Sequence, residues 1–462
     1  MIFQQLHDPD YYYHLALTKQ IAENGFASTL PQASGIGWDI LYTDKEFLFH
    51  MLTALFYKIG GEAGVRLLMP LLFLFTVGSF LYFAYFSLRF FFNKSDSLKW
   101  ACIAFIPIFA DPHFVARMNM VRPHVFAVLI FVWLAIFIIQ NRAHWAFATG
   151  VIFSLAYHGI QVPLLLLVCA GIASRLTREN HFKAIGMALG GLTLGVIVNP
   201  YFPGNLVIIE LVTRIIFKVG TKVDLNYGLE VYPWTSSIFI KTNFLILVTL
   251  AGSVLHYLQV KTAKQRFPIL FAILLTLTFL TLSAISPRAR EYLVPSGIFL
   301  FILLAKFLIE TRRETLKIDF LIVAVSSLMQ IGFVFSHYQQ ILPSEPKDLK
   351  NYREGLKQIE ETGKHVFNCN WSSSPFIFYF RPDLSFIDIL DPSFLDRYSP
   401  LHSKIRTEIN LGREIDAYQW IQTAFKSQYV LCEAPQLNLL LERDPRLERI
   451  YPKTLSDKYF SQ

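Results

Sequence analysis

The chain has 462 residues, 53% of them hydrophobic and 43 of them Phe, with a mean hydropathy of +0.41. That exceeds what a soluble globular chain carries, so the sequence reads as a polytopic membrane protein. The net charge of +8 and pI near 9.1 do not point to nucleic acid, because the excess sits in short loops and no basic stripe with interleaved aromatics occurs.

The chain opens on Asp8-Pro9-Asp10-Tyr-Tyr-Tyr-His14. Asp8 followed by Pro9 is a helix start, and Asp10 and His14, four residues apart, then share a helix face. The three tyrosines read most simply as an interfacial aromatic belt. Apolar runs follow near 64–88, 100–110, 120–139, 145–157, 161–174, 184–198, 236–258, 267–284, 292–309 and 318–336, which predicts about ten crossings. Several fall short of the roughly 30 Å of hydrocarbon at about 1.5 Å per residue.

Lys and Arg cluster in alternate loops: Arg89, Lys94 and Lys99, then Arg142, then Arg175, Arg178 and Lys183, then Lys261, Lys264 and Arg266, then Arg312, Arg313 and Lys317. Those loops read as cytoplasmic. The opposite set, with residues 1–63, the loops at 111–119, 158–160, 199–235 and 285–291, and everything after 337, holds the acidic residues and reads as extracytoplasmic. Residues 1–63 then reach the outside either by N-out insertion of 64–88 or behind a helix preceding residue 1, and the second is the expectation.

Beyond 337 the apolar runs stop and strands at 365–369, 384–388, 428–432 and 447–451 alternate with helices at 347–362, 416–426 and 435–442, with Trp420 inward. This is the pattern of a small α/β domain. The fold class is therefore a polytopic α-helical membrane protein with a small C-terminal α/β extracytoplasmic domain, divided as 1–63 (a first loop with amphipathic helices), 64–337 and 338–462. Cys369 and Cys432 can pair in an oxidising compartment, but each ends a strand-like run, and two buried free thiols are the expectation.

Ionisable residues at the rim of an apolar bundle mark candidate sites. Asp10 and Asp111 are candidate catalytic carboxylates, although Asp10 also suits the dipole at a helix start and Asp111 also reads as a helix end ahead of Pro112. Asp10, His14, Asp111 and His113 together offer oxygen and nitrogen ligands for a divalent metal, Mg or Mn, or a general base with its partner. Arg122, Arg288 and Arg290, with Tyr292 beside them, suit a phosphate oxygen, since guanidinium matches phosphate bidentately. A lipid headgroup is the plainer partner of those arginines. His158 and Glu230 are candidates for holding an acceptor, and Glu230 reads equally as an ordinary loop carboxylate.

The order of these features, namely Asp10 followed by aromatics and His14, an acidic second loop at Asp111, Asn199-Pro200-Tyr201, Arg290-Glu-Tyr-Leu-Val-Pro295 and a small C-terminal domain, resembles the C-type integral-membrane glycosyltransferase superfamily. That superfamily includes oligosaccharyltransferase catalytic subunits and protein mannosyltransferases. The resemblance implies an inverting cell-envelope transferase that uses a polyprenyl-phosphate-linked sugar, with Asp10 in the place of the first-loop catalytic carboxylate and Asp111 with His113 at the second acidic motif. The sequence departs from the pattern in lacking a transmembrane helix before the first acidic loop and in offering one carboxylate in the second. The Trp-Trp-Asp-Tyr-Gly signature of oligosaccharyltransferases is absent, so transfer of a single sugar is expected. A lipid or lipid-linked-sugar transporter would instead carry its ionisable groups near the midplane, where only a few such as Lys241 and His256 fall. A non-catalytic scaffold is the remaining alternative.

Overall fold

The protein is described here from a computed structural model, covering residues 8–89, 97, 101–216, 232–260, 263–311, 316–336, 349–360, 362–414, 416–432 and 435–450. Helix α1 (Pro9–Asn24) begins as its sequence dictates: the Asp8 carboxylate accepts from the Tyr11 amide at 3.1 Å, and Pro9 occupies a position that needs no backbone donor. The three tyrosines are not an interfacial belt. All are buried, because α1 is sandwiched between α2 (Phe47–Leu88) and the C-terminal domain. Tyr12 packs on Phe376 and Tyr379 with ring centroids 5.0 and 5.2 Å away, Tyr13 and Tyr42 share a hydroxyl contact of 3.0 Å, and the Tyr11 hydroxyl accepts from Arg66 Nε at 2.7 Å.

Helix α2 starts well before the apolar run that revealed it, and Gly60 and Gly61, the latter at φ +59°, break it into two pieces. In the run at 100–110 the described residues form a 3-10 turn at Cys102–Ala104 that leads into the five-residue α3 (Phe105–Phe109), which stops ahead of Asp111-Pro112. Then come α4 (Pro112–Arg117), α5 (Pro123–Ile139), α6 (Ala143–Ala156), α7 (Gln161–Thr177), α8 (Phe182–Ile197) and α9 (Gly204–Ile216). Helices α6 and α8 approach through glycine, since a Cβ on Gly150 would strike the Ala188 carbonyl and one on Gly191 the Phe147 carbonyl. Next are α10 (Ser236–Thr242), α11 (Phe244–Gln259), α12 (Ala263–Ile285), α13 (Arg290–Thr311) and α14 (Leu316–Ser336).

Among the described residues Phe47–Leu88, Gln265–Ile285 and Pro287–Ile309 are long and apolar enough to cross a membrane, and α10 with α11, bent by 65°, together reach the same length and apolarity as a broken span or a re-entrant loop. Helices α5 to α8 and the Ala324–Ser336 part of α14 are apolar but have only 10–17 residues, so their flanks must help cover roughly 30 Å of hydrocarbon. The chain is an integral membrane protein, mostly helical.

The C-terminal domain holds α15 (Leu349–Lys357), β1 (His365–Asn368), α16 (Ser374–Phe380), β2 (Ser385–Phe386), α17 (Pro392–Tyr398), α18 (Pro400–Asn410), α19 (Ala417–Thr423), β3 (Tyr429–Leu431) and α20 (Pro435–Arg443). Its three strands form a parallel sheet in the order β2-β1-β3, with Val366 opposite both Phe386 and Tyr429. Parallel neighbours require crossovers, and α16 to α19 supply them. Residues 447–450 form no strand, and Trp420 is 38% exposed, not inward. Cys369 and Cys432 are not free thiols: parallel pairing of β1 with β3 brings their strand ends together and the two form a disulfide.

A second core joins this domain to the first loop. Tyr13, Leu17 and Ile21 of α1 pack with Ala33, Ile36, Trp38 and Tyr42 against Val366, Phe386, Ile387 and Leu395. Within that seam Gly35, in the 3-10 turn Pro31–Ile36, sits so close to the domain that a Cβ would land on the Ile387 carbonyl oxygen. Gly35→Ala should therefore lower the thermal unfolding temperature of the full chain in detergent, at a cost of about 1–3 kcal/mol. An unchanged temperature would contradict the seam.

Deep in the domain, Arg406 Nη1 donates to Asp388 Oδ2 at 2.6 Å. Burial nonetheless pushes the Asp388 carboxyl up to about 7, against the pull of Arg406. The folded state thus keeps a proton that an unfolded Asp releases near pH 4, so this group makes stability fall as pH rises from about 4 to about 7, by on the order of 1 kcal/mol per pH unit. Asp388→Asn should flatten that part of a thermal unfolding profile taken against pH, and a variant as steep as the wild type would refute the assignment.

Candidate active site

A small cavity forms where six separate parts of the chain meet: Asp10 and His14 from α1, Lys45 and Glu46 from the segment before α2, Arg122 and His124 from the head of α5, Tyr157 after α6, Arg288 before α13, and Leu390 from the C-terminal domain. The enclosed volume is about 10 Å³, room for one water, so a sugar enters only as wall side chains give way.

Arg122 ties the N-terminus of α1 to α5. It ion-pairs with Asp8 and lies 3.1 Å from Asp10 Oδ2. Asp8 thus has two tasks, helix cap and counter-ion, while Asp10 turns toward the cavity. Behind His14 runs a buried chain: His14 Nδ1 is 2.8 Å from His50 Nε2, and His50 Nδ1 is 2.8 Å from both Asp44 oxygens. Burial first, then the neighbouring His50, holds His14 well below the usual imidazole value, hence neutral.

Glu46 Oε1 lies 2.9 Å from His158 Nδ1. Burial raises Glu46, but Lys45 and His158 outweigh it and hold the carboxyl well below the usual range. His158 is pushed down to about 4 by burial, against the pull of Glu46. Glu46 Oε2 is buried without a hydrogen bond, a carboxylate oxygen that suits a divalent cation. Asp44, Glu46 and His50 also bring three buried ligand atoms within 4.8 Å of one another and could hold a metal, although both His50 ring nitrogens already have partners. The sequence offers a signal for this group, Asp44-x-Glu46-x-x-x-His50 at a helix start, but its acids read there as ordinary loop charge.

Of the four residues expected to ligate metal, Asp10 and His14 line this cavity, whereas Asp111 lines a separate inner one and His113 packs edge-on against Trp234 at 5.7 Å. Asp111 is engaged twice: it caps α4 by accepting from the Phe114 amide at 2.9 Å, and it pairs with the buried Arg290. Arg290 also donates to Asn243, to the Thr242 carbonyl at 2.7 Å, and lies over Trp234, at the bend between α10 and α11. Of the expected phosphate ligands, Arg288 faces the cavity beside Lys45. Arg122 serves the carboxylates, Arg290 the inner cluster, and Tyr292 is buried against Phe131 and Phe279. Glu230 lies outside the described residues.

The two clusters are linked. Arg117 Nε donates to Glu291 Oε1 at 2.9 Å, and His124 of the cavity wall lies 3.9 Å from the same oxygen while its Nε2 is 3.0 Å from the Arg117 carbonyl. Removing one partner of a buried ion pair leaves the other charge stranded. Asp111→Asn should therefore cost about 3 kcal/mol or more of stability in a thermal unfolding measurement, and a loss under about 1 kcal/mol, typical of an exposed pair, would show that Arg290 does not depend on it.

Neither a family model nor a curated protein sequence matches the chain. Solved structures do. ArnT from Cupriavidus metallidurans in the apo state aligns with a TM-score of 0.55 at 15% identity, covering 91% of this chain and 87% of that one. The archaeal oligosaccharyltransferase AglB from Archaeoglobus fulgidus, in complex with an inhibitory peptide and a dolichol-phosphate, gives 0.53 at 10% identity over 84% of this chain and 61% of its own. An apo oligosaccharyltransferase from the same organism gives 0.50 at 12% identity, covering 83% of this chain and 61% of the other. Over most of its length, and despite low sequence identity, the chain has the fold of the C-type integral-membrane glycosyltransferases.

Proposed function

We propose that the chain is a membrane glycosyltransferase that moves a single sugar from a polyprenyl-phosphate-linked donor to an acceptor hydroxyl on the extracytoplasmic side. The observation that carries this is the one cavity in which the Asp10 carboxylate, steadied by Arg122, shares walls with the cations Lys45 and Arg288. The likeness to a fold seen with dolichol-phosphate supports the donor class. The Cys369–Cys432 disulfide supports an oxidising compartment for the C-terminal domain, in agreement with the Lys and Arg bias of the opposite loops.

In this reading Asp10 takes the proton of the acceptor hydroxyl as its oxygen bonds to the anomeric carbon. The bond from that carbon to the phosphate oxygen breaks, and the electron pair leaves with the polyprenyl phosphate, whose charge Arg288 and Lys45 stabilise. Arg122, 3.1 Å from Asp10 Oδ2, positions that carboxylate. Asp44, Glu46 and His50 would hold a divalent cation, which when bound supplies positive charge beside the phosphate. Ordinary cavity residues thus suffice for the proton and the leaving group.

Asp10→Asn should reduce transfer of radiolabelled sugar from a decaprenyl-phosphate donor in membranes by about 100-fold or more. Arg288→Ala should weaken binding of decaprenyl phosphate to the purified chain about tenfold with a normal unfolding temperature. Undiminished transfer by Asp10→Asn would remove the carboxylate from the mechanism.

A further inference from the structure

The C-terminal domain reaches into the cavity at a single point, Leu390, and it does so with a strained backbone. Leu390 has φ +68°, and the Asp391 amide donates to the Ile389 carbonyl at 2.8 Å, so Leu390 is the centre of a tight three-residue turn that non-glycine residues adopt rarely. Nothing at a free surface would retain such a turn; strain of this kind persists where surrounding structure over-determines it, and it concentrates at functional sites.

The over-determination is explicit. Asn368, fully buried at the end of β1, accepts from the Ile387 amide at 2.8 Å and donates to the Asp388 carbonyl at 2.9 Å. Ser374 donates to the same carbonyl, Asp388 accepts from the Ile389 amide at 2.9 Å, and Arg406 anchors Asp388 while reaching the Cys369 carbonyl at 3.2 Å. From behind, Gly35 of the first loop abuts the Ile387 carbonyl. Several hydrogen bonds converging on one short segment hold it in one conformation. What they fix is an apolar side chain, nearly buried, among the charged walls formed by Asp10, Glu46, Arg122 and Arg288.

The turn also lies beside the cations assigned to the phosphate, since Asp391 is within electrostatic reach of Lys45 and Arg288. A sugar linked to a phosphate held there comes next to Leu390. Resting on the transferase reading above, we propose that Leu390 is a specificity-determining residue, an apolar wall that accepts a C–H face of the transferred sugar and rejects a hydroxyl at that position. Leucine offers no hydrogen bond, so a hydroxyl pressed against it loses its water without replacement. The C-terminal domain then selects the donor sugar and the membrane-proximal residues hold its phosphate.

The test uses the purified full chain in lipid nanodiscs and competition against fluorescent decaprenyl phosphate. Competitors are a decaprenyl-phosphate-linked hexose and its monodeoxy analogues, one ring position at a time. Leu390→Asn keeps a residue tolerant of positive φ but adds polarity, and Leu390→Gly removes both strain and wall. The wild type should bind one monodeoxy analogue better than the parent hexose, Leu390→Asn should shift that ratio toward the parent by about tenfold, and Leu390→Gly should bring it near one. Variants that unfold at the wild-type temperature and keep the wild-type ratio at every position would overturn the role of Leu390 alone. A wild type that fails to bind decaprenyl phosphate at all would overturn the transferase reading and this inference with it.

Discussion

Arg122 is the charge on which the site depends. A guanidinium buried between an apolar bundle and a packed domain is costly unless it is paired and hydrogen-bonded, and here Asp8 and Asp10 meet that need together. The same two carboxylates belong to the first turn of α1, so the ion cluster fixes where α1 begins and which way Asp10 faces. Once α1 is placed, its tyrosines seat the C-terminal domain on one side and α2 on the other, and the cavity closes around Asp10.

The first loop and the C-terminal domain work as one body over the membrane bundle. Their shared core runs from Tyr13 and Trp38 to Phe386 and Leu395, and two glycines allow the close approach: Gly35 against Ile387 and Gly37, at φ +76°, against the Tyr398 ring. Residues at the two ends of the chain thus build a single wall. Beneath it, the inner cluster of Asp111, Arg290 and Asn243 holds the bend between α10 and α11 and communicates with the cavity through Glu291 and His124.

What the sequence made legible were features carried by local rules. Asp8-Pro9 as a helix start, the apolar helices and the α/β alternation beyond 337 followed from capping, periodicity and composition, and the fold from the resemblance carried by the order of short motifs around Asp10, Asp111, Asn199 and Arg290. What it hid were consequences of long-range contact. The tyrosines of α1 read as an interfacial belt because nothing local told that α16 would cover them. Cys369 and Cys432 read as separate buried thiols because the β1–β3 pairing that joins their ends spans 63 residues. Asp44 and Glu46 looked like loop acids until folding buried them with His50, and Arg122, read as a phosphate ligand, lies against Asp8 and Asp10. Leu390 carried no signal at all, since a leucine held at positive φ is invisible without its surroundings.

The most direct check of the central claim is a high-resolution structure of the full chain in a lipid nanodisc with decaprenyl phosphate bound. The account predicts phosphate density within hydrogen-bonding distance of Arg288 and Lys45, in the cavity that holds Asp10. Phosphate seated instead against Arg290 and Asp111, or anywhere that Asp10 cannot reach, would contradict it.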